Sequence, residues 1–229
     1  MAVSVRSYST SFPRDEDPIS EGGAWLNGRT DGIDWIDCIT KDGVCFGAVS
    51  RMGVPERRAE QGNLEDADAP EGDYDDPTSV LAGEWGPDQH GTATVFSRNP
   101  TDAYFQEVQI RLRHTMRPSF CSGYEVFFRC LKTDEAYAEI VRWNGKIGDW
   151  TSLKRLVGPE YGVQNGDVIE ATVFGNVLTG SINGVEVISV VDDVIGSGAP
   201  GVGFNFGVGD TNVDHGLSSF AVETFESGS

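Results

Sequence analysis

The feature that most constrains this chain is its punctuation by residues that accept a positive φ. Asn144-Gly145, Gly175-Asn176 and Asn183-Gly184 each separate runs rich in β-branched and aromatic residues. Such dipeptides favour two-residue hairpin turns, whose twist matches that of the flanking strands and whose backbone needs φ > 0. Glycine supplies 29 of the 229 residues and mostly bounds short β-prone runs, against a usual share of about 7%. No stretch keeps apolar residues at i, i+3, i+4 and i+7 over three turns, so any helix is a single short turn. No fixed-period repeat is present either, which argues against a propeller or solenoid.

Read by alternation between these turns, the strands are Val44–Val49, Thr92–Ser97, Tyr104–Arg113, Gly123–Leu131, Tyr137–Trp143, Asp167–Phe174, Val177–Ile182, Val185–Val191, Gly201–Gly207 and Ser218–Phe225. That number suits two packed antiparallel sheets. Within Tyr104–Arg113, Phe105, Glu107, Gln109, Arg111 and Arg113 alternate with Tyr104, Gln106, Val108, Ile110 and Leu112. One face therefore meets the core, and the other meets solvent or a ligand groove. The expectation is one domain over residues 1–229. The acidic Gly/Pro/Asp-rich stretch at about 55–78 is read as a surface excursion between strands, because what precedes it is too short to fold alone.

Asp and Glu total 36 against 17 Lys and Arg, a formal charge of −19. That field repels phosphate backbones and anionic head groups, so nucleic acid is excluded as a first partner. The longest apolar runs fall far short of the ~20 residues needed to span a bilayer, so no membrane insertion is expected. The first residues, MAVSVRSYSTSFPRDEDP, lack a continuous apolar core and a small-residue cleavage site. The corresponding expectation is a cytoplasmic or virion-associated chain, or one whose leader has been removed. Cys38, Cys45, Cys121 and Cys130 show no CxxC pairing and are expected to be reduced core thiols. The exception weighed is Cys38–Cys45, which a tight turn at Lys41-Asp42-Gly43 would bring together across a hairpin.

The run from Gly166 to Asn176, then Ser181-Ile182-Asn183-Gly184-Val185-Glu186-Val187, then Val191-Asp192 and Gly198-Ala199-Pro200-Gly201-Val202-Gly203-Phe204, resembles the concanavalin A-like (laminin-G-like) jelly roll. Ser218-Ser219-Phe220-Ala221-Val222 fits the last strand of that superfamily, and Phe12, Arg14, Asp15 and Trp25 resemble its opening. The resemblance implies an all-β, two-sheet antiparallel jelly-roll sandwich. The superfamily holds lectins, carbohydrate-binding modules, glucanases, polysaccharide lyases and virion proteins, so fold does not choose a function.

Four chemistries can be set against the residues. Retaining glycoside hydrolysis needs two carboxyls about 5–5.5 Å apart. The Glu-x-Asp-x-x-Glu strand of jelly-roll glucanases is absent, and Glu135 with Glu139 is the remaining same-face pair. A polysaccharide lyase would take His90, Arg111, Arg113, Tyr124 and Tyr137, with Gln89 and His114 as further candidates, for charge neutralisation and acid–base work; the contiguous strand motifs of those enzymes are missing. Carbohydrate binding without catalysis asks for aromatic platforms flanked by planar polar groups, and Trp143, Trp150, Tyr137 and Arg142 cluster around Asn144-Gly145. A structural Ca²⁺ would be held by hard oxygen ligands, with Asp73, Asp75 and Asp76 as candidates and Asp192/Asp193 and Asp210/Asp214 as others.

The best-supported sequence reading is a lectin-like protein whose partner is a glycan or polysaccharide, either alone or as a surface component that also meets other virion proteins. A decoration protein without glycan binding and a lyase or glycoside hydrolase are the alternatives. An enzyme predicts a polar constellation on one sheet face, a glycan binder predicts aromatics there, and a decoration protein predicts a flat apolar surface.

Overall fold

The computed structural model describes residues 4–28, 30–31, 35–48, 76–103, 105–118, 120–146, 148–205 and 213–225. Among the described residues, fifteen strands build two antiparallel sheets. The larger sheet runs β13 (Val185–Val191), β12 (Val177–Ile182), β11 (Val168–Phe174), β6 (Asp88–Ser97), β15 (His215–Phe225), β4 (Val44–Gly47), β3 (Cys38–Lys41), with β1 (Ser4–Thr10) also paired to β15. The seven-stranded sheet runs β10 (Trp150–Val157), β9 (Tyr137–Lys146), β8 (Phe120–Arg129), β7 (Glu107–Arg117), β14 (Ala199–Asn205), β5 (Thr78–Leu81), β2 (Trp25–Asn27). The one helical segment among the described residues is a 3₁₀ turn at Pro159–Tyr161. These features match the expected all-β sandwich.

The core lies between the sheets. Val108, Ile110 and Leu112 of β7, Tyr124, Val126 and Phe128 of β8, and Val202 and Phe204 of β14 meet Ala93 and Val95 of β6, Ile169, Ala171 and Val173 of β11, and Leu178 of β12. Glycine sets the spacing at two points: a Cβ on Gly91 would sit 2.8 Å from Ile110 Cγ2, and one on Gly180 would sit 2.8 Å from Val126.

The Asn183-Gly184 turn has φ of 52° and 76°, and Asp42-Gly43 has 51° and 77°, the double positive-φ signature of a type I′ hairpin. Gly175, at φ 57°, opens the β11–β12 hairpin. Asn144-Gly145 departs from expectation. Both residues stay inside β9, opposite Ser122 and Cys121 of β8, and the chain reverses later, with Asp149 N–H donating to Lys146 O at 2.9 Å. Two contacts account for the delay. The Phe120 ring fills the space where a Cβ on Gly145 would lie, and the Asn144 amide spans to Asp149 Oδ1 and Thr151 Oγ1.

The β3–β4 hairpin forms as expected, but its register places Cys38 opposite Gly47 and Cys45 opposite Thr40. The two cysteines are therefore diagonal neighbours, both buried and both free thiols. Burial, with Cys38 beside it, pushes the Cys45 thiol well up from its ordinary value, which leaves it unreactive as a thiolate. The acidic excursion expected at about 55–78 lies outside the described residues as far as 75, and from Asp76 the chain enters β5.

Candidate functional site

Antiparallel partners share a sheet face, so register defines what the seven-stranded sheet presents away from the core. Arg111 pairs with Glu125 and Gly201, Gln109 with Phe127 and Gly203, and Glu107 with Arg129 and Asn205. Across β8 and β9, Glu125 pairs with Val141, Phe127 with Glu139 and Gly123 with Trp143. One outer face thus carries Glu107, Gln109, Arg111, Glu125, Phe127, Tyr137, Glu139 and Trp143. The glycines of β14 make room there: a Cβ on Gly203 would lie 2.2 Å from Gln109 Oε1 and 2.6 Å from Arg111 Nε.

This face is closed. Arg111 is fully buried, and Glu125, Glu139, Tyr137 and Trp143 are each at most 3% exposed. Trp35, from the connection between β2 and β3, packs on it with its ring centroid 4.8 Å from that of Trp143 in an edge-to-face arrangement, and Arg111 Cζ lies 4.9 Å from the Trp35 ring. Trp35, Cys121, Phe127, Tyr137, Val141 and Trp143 form a second apolar cluster, separate from the intersheet core.

Ionic groups are threaded through that cluster. Arg111 Nη1 lies 2.9 Å from Glu125 Oε2, and Nη2 donates to Gln109 Oε1 at 2.7 Å with Asp76 Oδ2 3.9 Å away. Trp143 Nε1 donates to Glu125 Oε2 at 2.7 Å. Glu139 accepts from Ser152 Oγ at 2.6 Å and from Arg155 Nη1 at 2.9 Å. The Tyr137 hydroxyl donates to Glu107, while Arg155 Cζ sits 3.7 Å over the Tyr137 ring.

Desolvation dominates the acid–base behaviour, because a carboxylate buried without full compensation favours its neutral form. Burial, assisted by the charges on Glu125 and Glu139, raises Glu107 to about 7. Burial and the Glu125 charge push Asp76 well above the carboxylate range against the pull of Arg111, and burial raises Glu125 against Arg111 and the Trp143 hydrogen bond. His114, with Nδ1 3.7 Å from Cys121 Sγ, is held far below the ordinary histidine range by burial and by Arg111, so it is neutral.

The lyase candidates do not converge. Arg111 and Tyr137 share the outer face, but His90 lies on β6 of the other sheet with Nε2 2.9 Å from Glu170. Tyr124 points into the core and donates to Asp192 Oδ1 at 2.6 Å. Arg113 leaves the alternation at a bulge, with φ of 51° and a register shift between Leu112 and Thr115. Its guanidinium ties together Pro87 O, Ile195 O and Gly175 O and lies 3.3 Å from Asp88. Gln89 bonds Gly86 O, Gly198 O and the Arg113 N–H.

Of the carbohydrate-binding candidates, Trp143 and Tyr137 are on the outer face and buried. Trp150 opposes Trp143 in register at the sheet edge and is 40% exposed. Arg142 points to the opposite face, where it pairs with Asp192. Glu135 is exposed outside β9 and does not join Glu139.

Asp73, Asp75 and Asp210 lie outside the described residues. Among those described, no group of His, Cys, Asp or Glu is arranged to hold a metal. Asp76 faces Arg111, Asp192 receives Tyr124 and Arg142, and Asp214 receives Arg98 and Asn99. With the Asp192 and Asp214 oxygens taken by protein donors and Asp76 set towards Arg111, excess chelator is expected to leave the melting temperature unchanged. A fall of several degrees would reinstate a structural Ca²⁺.

Sequence reasoning missed Gln109 and Glu125 as site residues, and it counted Trp35 among the available aromatics without placing it on this face. Alternation continued across the β7–β8 hairpin would have found the first two. Trp35 carries no local signal, since only the path of its loop brings it to the sheet.

No family model matches the chain, and no curated protein matches it. Solved structures do. A carbohydrate-binding module, CBM66 from Bacillus subtilis, aligns over 92% of this chain and 97% of its own at 11% identity and a TM-score of 0.53. A legume lectin-like domain from Entamoeba histolytica aligns over 100% of both chains at 13% identity and a TM-score of 0.52. A structure from work on the endo-acting O-glycanases with which human gut microbiota initiate mucin breakdown aligns over 98% and 100% at 8% identity and a TM-score of 0.56. At such identities the likeness speaks to fold alone, and together with the two antiparallel sheets it gives the chain a jelly-roll sandwich fold of concanavalin A-like architecture.

Proposed function

We propose that this protein binds glycan at the β9–β10 edge of its seven-stranded sheet, with the exposed Trp150 as the aromatic platform and the buried Trp143, Tyr137, Gln109, Arg111 and Glu125 behind it holding that edge in place. One observation carries the reading: aromatic rings and paired ionic groups are interleaved on a single face, away from the core. Stability alone gives no reason for this, because buried ion pairs do no better than well-packed apolar residues of similar volume. Rings that meet sugar C–H groups, beside planar polar groups that meet hydroxyls, are what carbohydrate recognition requires. Structures named as a carbohydrate-binding module and a lectin-like domain share the fold, which is compatible support.

The test is a glycan array probed with the wild type, Trp150→Ala and Trp143→Ala. A platform truncation is expected to weaken binding at least about tenfold, equivalent to about 1.4 kcal/mol. Binding unchanged in both variants would remove the assignment. Silence of the wild type across the array would turn the reading toward a decoration protein without glycan binding.

A second reading, glycoside hydrolysis, is favoured by Glu107. Its carboxyl, raised to about 7 by burial, shares a face with Glu125 and Glu139, and glycoside hydrolysis works through a pair of carboxyls. Release of reducing ends from the bound glycan, abolished by Glu107→Gln, is the result that would establish it.

A further inference from the structure

We propose that the larger sheet carries a second ligand site on its outer face, a cavity suited to a single neutral sugar unit and independent of the β9–β10 edge.

The cavity has a volume of about 580 Å³, and its lining includes Ser9, Ser11, Glu21, Thr92, Ser219 and Ala221. Small-molecule sites span about 300–1,000 Å³. Register accounts for where it forms. Ser9 of β1 pairs with Ala221 of β15, and Ala221 pairs with Thr92 of β6. Partners share a face, and because Ala93, Phe220 and Val222 belong to the core, this trio faces away from it. An alanine between a serine and a threonine leaves a dip across three strands. β15 also changes neighbours at this point. Its pairing with β1 ends at Thr10 opposite Phe220, and β4 meets it at Leu217 opposite Cys45. Beyond β1 the chain turns away at buried Phe12, whose φ is 51°. The gap between the two neighbours, beside Ser219, deepens the dip into a cavity.

The chemistry of the lining selects the ligand. Ser9, Ser11, Thr92 and Ser219 carry hydroxyls, each both donor and acceptor. Ser219 Oγ donates to Thr94 Oγ1 at 2.8 Å, which orients it and leaves its oxygen able to accept. Glu21 is held in advance. Its N–H donates to Glu16 Oε2 at 2.8 Å, its backbone sits at φ 45°, and its carboxylate accepts from the Tyr8 and Thr10 hydroxyls and, at 3.2 Å, from Trp25 Nε1. A carboxylate has about four acceptor positions, so one remains for a ligand hydroxyl. Three protein donors already offset its charge, and the site does not call for a cation.

Among the described residues, no Lys or Arg lines the cavity. An anionic ligand would meet the Glu21 carboxylate without a counter-charge, in a chain of formal charge −19. An apolar ligand would strip water from the hydroxyls without replacing their hydrogen bonds. A neutral polyhydroxylated ring replaces those bonds hydroxyl for hydroxyl, and its C–H groups have Ala221 and Pro13 to rest on.

The test is a ¹H–¹⁵N NMR titration of the wild type with D-glucose, D-galactose, D-mannose and L-fucose in turn, repeated with Thr92→Val, Ala221→Leu and Trp150→Ala. At least one sugar is expected to give saturable shifts centred on the amides of Ser9, Thr92, Ser219 and Ala221. Thr92→Val keeps the shape of the side chain and removes one hydroxyl, so it is expected to weaken that binding roughly 2- to 12-fold, the worth of one hydrogen bond. Ala221→Leu fills the dip and is expected to abolish it, whereas Trp150→Ala is expected to leave it unchanged. Absence of saturable shifts at these amides with all four sugars overturns the proposal. So does binding that either folded cavity variant leaves unchanged, or that Trp150→Ala removes. Should Ala221→Leu fail to fold, Thr92→Val decides alone. The array result with Trp150→Ala judges the edge reading separately, so either site can fail without the other.

Discussion

Arg111→Met is expected to cost about 3–5 kcal/mol at pH 7, the usual effect of removing one partner from a buried ion pair. The guanidinium is fully buried and is the cation in contact with Glu125 and nearest to Asp76, while Gln109 accepts from it. Removing it leaves two carboxyls in a space that disfavours charge, and both are already raised by burial with Arg111 opposing the rise. Each can escape by taking up a proton, so the cost shrinks as pH falls. Chemical denaturation at pH 7 and pH 5 checks both statements. Adding Glu125→Leu to Arg111→Met should restore much of the loss, since a face emptied of both charges needs no counter-ion. A loss under about 1 kcal/mol at pH 7 would mean that water reaches the pair as it reaches a surface salt bridge.

Glu107→Gln is expected to act in the opposite direction and to depend on pH in a way that identifies its cause. The Glu107 carboxyl moves from an ordinary value of 4.5 to about 7 on folding. Because the folded state holds the proton more tightly, this group's favourable contribution is complete below 4.5 and is lost as pH rises through 7. A shift of that size corresponds to roughly 3 kcal/mol. The amide stays neutral and still accepts from the Tyr137 hydroxyl, so the variant should match the wild type near pH 4 and exceed its stability by up to roughly 3 kcal/mol at pH 8. Asp76 and Glu125 slope the same way in both proteins and largely cancel in the difference. A difference curve that is flat across this range would show that Glu107 is ionised in the folded protein at neutral pH.

Much of the architecture was legible in local sequence. Strands β11 and β12, together with the Asn183-Gly184 reversal, follow from period-two alternation and from side chains that accept positive φ. Strands β1, β2, β3, β5 and β10 were not legible. They are short or lie at or near sheet edges, where a partner's backbone, rather than their own pattern, makes them strands. The bulge at Arg113 was equally hidden. Alternation assigned that residue to the face of Arg111, but the register shift sends its guanidinium to the loop ends near Asp88 and Ile195.

The candidate site divides along the same line. That Glu107, Gln109 and Arg111 share one face was determined by the sequence itself, because a pleated strand has a period of two whatever surrounds it. That His90 stands on the other sheet, that Arg142 turns away toward Asp192, that Glu125 meets Arg111, and that Trp35 closes over Trp143 were decided only by tertiary structure. Register and loop path are set by contacts between distant segments. Burial, which raises Glu107 and makes Arg111 indispensable, exists only once those segments have met.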